Sequence, residues 1–85
     1  MLYRIMTEDV NSEAIKKMVG KQFDGFTMFN ARGVWKGIEE SSLIVEVVSE
    51  LPIIKKVKAL ARRIKKLNDQ EAVLVEVLQN SSFLI

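Results

Sequence analysis

The run Leu43-Ile44-Val45-Glu46-Val47-Val48 constrains the fold more than any other stretch of the chain. Five of its six residues are apolar, so a strand here places apolar side chains on both of its faces. That is the signature of a central strand covered on each side. An ionised carboxylate in such a strand is costly unless it is paired or lies near an opening, so Glu46 marks a sheet face that meets solvent, a ligand or a partner. The rest of the chain has to supply neighbouring strands and something to cover them.

The second constraint is the segment after Pro52. At 100° per residue Ile53, Ile54, Val57, Leu60, Ala61, Ile64 and Leu67 fall in one arc, and Lys55, Lys56, Lys58, Arg62, Arg63, Lys65 and Lys66 fall in the opposite one. This predicts an amphipathic helix with Ser49-Glu50-Leu51-Pro52 at its entry and Asn68-Asp69 at its exit. An earlier helix is expected from Asn11, as N-cap, to Gly20, which is expected in the left-handed position that ends the helix. Val10 and Ile15 are spaced as a hydrophobic staple across its start.

Strands fill the intervals. Leu2 to Met6 alternates and is rich in β-formers, and Ala72 to Leu78 forms a last strand. From Phe26 the pattern has period two, with Phe26, Met28 and Asn30 on one face and Thr27, Phe29 and Ala31 on the other. Gly33, Trp35, Lys36 and Gly37, with Ile38 to Ser42, read as a bend and a short acidic connection into Leu43. The order is β-α-β-β-α-β, one ferredoxin-like α+β domain over residues 1–85, with a four-stranded antiparallel sheet and both helices on one face. Right-handed crossovers place the first and third strands in the middle. The helix-free face needs covering, and the same face of a second copy is the expected cover, giving a homodimer. The apolar tail Phe83-Leu84-Ile85 is expected to bury against the domain or a neighbour.

Composition excludes several chemistries. The chain has neither cysteine nor histidine, which removes disulfides, thiolate nucleophiles and the usual zinc ligands and general base. No Gly-rich phosphate loop with its Lys and Ser/Thr is present. Met1-Leu2-Tyr3-Arg4-Ile5 is interrupted by charge too soon for a signal peptide, and no apolar run is long enough to span a membrane, so the expected compartment is the cytoplasm. Seven of the 13 basic residues lie in the second helix, leaving six against 11 acidic residues elsewhere. A basic block in an otherwise acidic domain points to an anionic partner.

Four motifs in fixed order carry a family resemblance: Phe23-Asp24-Gly25-Phe26-Thr27, Gly33-Val34-Trp35, Glu39-Glu40-Ser41-Ser42 and Gln70-Glu71-Ala72-Val73-Leu74. Over roughly residues 15 to 78 the chain resembles the DUF3574 proteins, a family named as a domain of unknown function, and short sequences of this appearance look like products of phage and mobile-element genomes. This chain lacks the Pro of the first motif and has a shortened segment after Trp35. The resemblance implies a fold and no transferable activity.

The candidate ligand site is the hairpin around Arg32, Trp35, Glu39 and Ser41, with Tyr3 and Glu46 beneath it. An aromatic face between cations suits a planar anion such as a nucleotide, although Trp35 as a plug at the end of the sheet is the plainer reading. Glu39, Glu40, Glu46, Glu71 and Glu76 supply carboxylates for paired-acid hydrolysis or a Mg²⁺ site, and are better read as solvent-facing charges. Tyr3 is the one phenolic acid or base, as a cofactor-free enzyme on a dimeric sheet would need. Lys55, Lys58, Arg62, Arg63 and Lys66 are the candidate nucleic-acid contacts, with solvated surface as the preferred alternative. The favoured reading is a small binding or accessory domain with no catalytic residue, cofactor or metal.

Overall fold

The computed structural model describes residues 1–79, and of Trp35 its backbone. Six elements follow in the expected order: β1 (Leu2–Glu8), α1 (Ser12–Gly20), β2 (Thr27–Trp35), β3 (Ile38–Val48), α2 (Ile54–Leu67) and β4 (Leu74–Leu78). The sheet runs β2-β3-β1-β4 with every neighbouring pair antiparallel. This is the ferredoxin-like arrangement, with the apolar strand β3 in the interior as its two-sided pattern requires. The tail Phe83-Leu84-Ile85 lies outside the described residues.

One face of the sheet packs under both helices. Ile15 and Val19 of α1 and Val57, Leu60, Ala61 and Ile64 of α2 are buried against Tyr3, Ile5, Leu43 and Val45. Each fully buried aliphatic side chain contributes about 1.5–3 kcal/mol relative to solvent exposure. The period-3.6 stripe of α2 and the period-2 faces of β1 and β3 meet here, which explains why one fold satisfies both patterns.

The helix ends depart from expectation in instructive ways. Asn11 holds the N-cap position but adopts φ 56°, and its side chain donates to Asn68 Oδ1 at 3.0 Å instead of capping its own helix. Val10 is exposed, so no buried staple forms there. Gly20 does not take a left-handed conformation. It closes the last turn of α1, and the chain leaves through Lys21 in helical geometry with Phe23 N–H reaching Val19 O at 3.0 Å. The left-handed stop belongs to α2: Asp69 has φ 51°, Gln70 N–H bonds Lys65 O at 3.0 Å and Asp69 N–H bonds Lys66 O at 3.3 Å, the paired bonds of a Schellman motif.

A small amide network locks this corner. Thr7, the buried polar residue at the end of β1, donates to Gln70 Oε1 and accepts from Asn68 Nδ2 at 3.2 Å. Asn68 Nδ2 also donates to Gln70 Oε1 at 3.0 Å, so β1, α2 and the lead into β4 share one set of polar contacts. Burial strengthens such bonds and penalises any member left unpaired.

The hairpin β2–β3 is longer than the sequence suggests. The expected acidic connection is strand: β3 begins at Ile38, and only Lys36 and Gly37 turn the chain, with φ 50° and 77°. Two left-handed residues in a two-residue loop are what a type I′ turn requires, and its twist matches that of the flanking strands. The pairs from Arg32↔Ser41 to Trp35↔Ile38 lie beyond Glu8↔Ser42, the last pairing with β1, so a two-stranded arm extends about 13 Å past the sheet.

Candidate functional site

Register divides the proposed site residues into groups that do not meet. Directly paired residues share a face, so Tyr3 lies with Val47 under the helices while Glu46 lies with Arg4 on the helix-free face. Tyr3 is 3% exposed, and its Oη accepts from Ile53 N–H at 3.4 Å and lies 3.4 Å from Leu51 O. The phenol anchors the entry to α2 and has no path to Glu46. The expectation that the two form one cavity is therefore corrected, because a residue's face depends on strand pairing and not on proximity along the sheet.

The arm residues form a second group. Arg32 Nε and Glu39 Oε1 are 3.0 Å apart across the ribbon, and Ser41 pairs with Arg32 in register. Residues 32–34 and 36–41 are all exposed, so the Arg32–Glu39 pair lies on an open ribbon without walls. Ser41 is five residues along β3 from Glu46, about 17 Å of strand, and the arm does not sit above the sheet site as expected. Trp35 holds the last position of β2, paired with Ile38 beside the turn.

What the structure does assemble is the helix-free face. Its residues fall in four rows across the strands: Val48-Leu2-Leu78, then Thr27-Glu46-Arg4-Glu76, then Phe29-Ile44-Met6-Leu74, then Ala31-Ser42-Glu8. Arg4 is the centre. Its Nε and Nη2 both lie 2.7 Å from Glu46 Oε2, and its Nη1 is 3.9 Å from Glu76 Oε1. The side chain of Glu46 is only 19% exposed, so its charge is compensated as a carboxylate in a central strand must be. Ile44 in the next row is buried at 2% exposure, flanked in register by Met6 and Phe29, whereas Phe29, Leu74 and Val48 are exposed. No described element covers these rows.

Arg4 is the residue that sequence reasoning missed. A usable signal existed: Leu2, Arg4 and Met6 form the face of β1 that carries a charge, as Ile44, Glu46 and Val48 form that of β3. Matching charged face to charged face pairs Arg4 with Glu46.

The basic side of α2 also divides. Lys56 leans toward α1, donating to Gln22 O at 3.3 Å with its ammonium 5.2 Å from the Phe23 ring centroid. Lys58, Arg62 and Lys65 lean toward β4 and line a groove of about 290 Å³ with Ala61, Val73 and Val75. Of the five helix cations proposed as nucleic-acid contacts, Lys58 and Arg62 border this groove together with Lys65, outside that set, while Lys55, Arg63 and Lys66 are exposed and do not line it. Among the described residues no cluster of three or more acidic, His or Cys side chains is placed to hold a metal ion. No helix among them is long and apolar enough to cross a membrane.

No protein-family model and no curated protein matches the chain in sequence. Solved structures do share its fold. A phage SAM lyase in its apo state superposes with a TM-score of 0.64 at 20% identity, over 87% of this chain and 75% of that one. A DUF3240 family protein from Shewanella baltica OS155 gives 0.61 at 13% identity, over 98% and 94%. The GlnK–ATP complex of B. subtilis gives 0.57 at 23% identity, over 88% and 79%. At these identities the likeness establishes a shared small α+β architecture.

Proposed function

We propose that the protein is a small cytoplasmic binding domain that works as a homo-oligomer, joining copies through the helix-free face of its sheet. The observation carrying this reading is the row pattern of that face. Two apolar rows flank one ion-paired row, and Phe29, Val48 and Leu74 stand exposed on it. A sheet face of this composition in water is better matched by a second copy than by solvent. Sedimentation or native mass spectrometry tests it. The wild type should run as a multiple of its 9.7 kDa subunit, and Val48→Glu with Leu74→Glu should shift it to the single subunit without loss of helix content. A wild type that stays a single subunit at micromolar concentration refutes the pairing.

A second reading concerns the ligand. Two of the structural neighbours are named for adenosyl compounds, one a SAM lyase and one a complex with ATP, which supports an adenosine-bearing ligand here. We favour binding over catalysis, because the phenol of Tyr3 is buried and engaged with backbone rather than set beside Glu46. Equilibrium dialysis with ATP and with SAM tests the ligand class. Breakdown of SAM on incubation, absent from a heat-denatured control, would move the reading to catalysis.

A further inference from the structure

The groove between α2 and β4 has features that self-association leaves unused. Lys58, Arg62 and Lys65 stand at i, i+4 and i+7 on one flank of α2, so the helix places three cations in a single line along one wall. None of the three makes a hydrogen bond or ion pair with a described residue, in contrast to Lys56 on the other flank. The floor is apolar, made by Ala61 of α2 with Val73 and Val75 of the β4 segment. Glu71 also lines the groove and is not ion-paired to any of the cations. At about 290 Å³ the space falls just short of the volume at which small-molecule sites begin, about 300 Å³, and it is an open groove, so part of a ligand would stand in solvent.

Each part selects a piece of ligand. Three uncompensated cations in line attract a chain of phosphates, and arginine among them can grip two phosphate oxygens at once. An apolar floor accepts the face of a planar base. A lone carboxylate beside them repels phosphate but accepts from ribose hydroxyls, as acidic residues do in dinucleotide sites.

We propose that this groove binds a nucleoside triphosphate, with the phosphates along Lys58, Arg62 and Lys65, the base on Ala61, Val73 and Val75, and Glu71 on the ribose. The inference deepens the adenosine-ligand reading above and rests on it. A small nucleotide fits better than a nucleic-acid strand. Single strands are held by successive stacking aromatics, whereas Phe29, the exposed aromatic among the described side chains, lies on the opposite face of the sheet.

The test is calorimetric titration of the full chain with ATP, with inorganic triphosphate and with a short single-stranded RNA. It uses wild type, a groove variant (Arg62→Glu, Lys65→Glu) and a crest variant with the same charge change (Lys55→Glu, Lys66→Glu); all four positions are exposed, and circular dichroism verifies folding. The groove variant should lose about a hundredfold in ATP affinity, at roughly tenfold per charged hydrogen bond removed, while the crest variant changes less than about threefold. Glu71→Gln should weaken ATP, by loss of the ribose acceptor, while triphosphate binds at least as tightly as to the wild type, because the carboxylate that repels phosphate is gone. ATP binding that both variants reduce equally overturns the groove and leaves the adenosine reading standing. Triphosphate binding as tightly as ATP, and lost only in the groove variant, keeps the anion site and removes the nucleotide. RNA displacing ATP at equal phosphate concentration, or a wild type that binds none of the three, overturns the proposal.

Discussion

The Arg4–Glu46 pair is the sharpest place to test the reading of the helix-free face, through a double-mutant cycle with leucine at both positions. Leucine tolerates a strand and keeps the volume of the rows. With charge centres about 4 Å apart, Coulomb attraction is about 4 kcal/mol at an effective dielectric of 20 and about 2 kcal/mol at 40. Desolvation and the ordering of two long side chains reduce this, and the pair sits between exposed pairs at about 0.2–1 kcal/mol and buried ones, whose breakage costs about 3–5 kcal/mol. The 30% and 19% side-chain exposures place the expected coupling at about 1–2 kcal/mol. Arg4→Leu alone should cost most, about 2–3 kcal/mol, because it strands Glu46 and leaves Glu76 as a second carboxylate beside the same strand. Glu46→Leu should cost about 1 kcal/mol, and the double variant about 2 kcal/mol, which is less than the sum of the singles by the expected coupling. Urea denaturation reads these values. With a slope of about 1 kcal/mol/M for so small a domain, Arg4→Leu should lower the midpoint by about 2–3 M. A coupling below about 0.3 kcal/mol, or one abolished by about 1 M salt, would show that the two groups behave as independent surface charges and that the face is wetter than its geometry implies.

Three further outcomes follow from the helix ends and the amide corner. Thr7→Val should destabilise the domain by about 1–2 kcal/mol, since Gln70 loses a donor and Asn68 an acceptor in a part-buried site, whereas Thr7→Ser should be nearly neutral; thermal melting compares them. Gly20→Ala should stabilise by about 0.5 kcal/mol in chemical denaturation, because the position is helical and the added methyl meets only Phe26 at 3.9 Å. Asp69→Gly should be neutral or stabilising by up to about 1 kcal/mol in the same assay, since the left-handed position that ends α2 carries a side chain at a steric cost.

The element order was legible because it rests on periodicity, which is local. The two-sided strand β3 and the segregated arcs of α2 need no knowledge of their neighbours, and both stand as the residues imply. The arm was not legible. Gly33 and the polar stretch Glu39-Glu40-Ser41-Ser42 look like a connection, and the turn Lys36-Gly37 lacks the Asn or Asp that usually announces a type I′ hairpin. The candidate site failed for a related reason. Whether Tyr3 or Arg4 faces Glu46 is a matter of register, and a shift of one residue exchanges every side chain between faces. Gly20 and Asp69 show the same limit at smaller scale: composition marks where a helix stops, while the hydrogen bonds around the stop decide which residue turns left-handed.

Charge placement connects the two proposed surfaces. The helix-free face carries Arg4 against Glu46, Glu76 and Glu8, and the outer side of α2 carries seven cations on the far side of the sheet. Joining two copies through their free faces therefore puts the two basic helices on the outside of the assembly, as far apart as the geometry allows. Pairing through the helices instead would bring up to fourteen positive charges together. β4 serves both surfaces at once. Val75 faces the groove beside α2 while Leu74 and Glu76 face the free side, so one edge strand of five residues forms a wall of each. An oligomer built this way would keep the proposed grooves open outward.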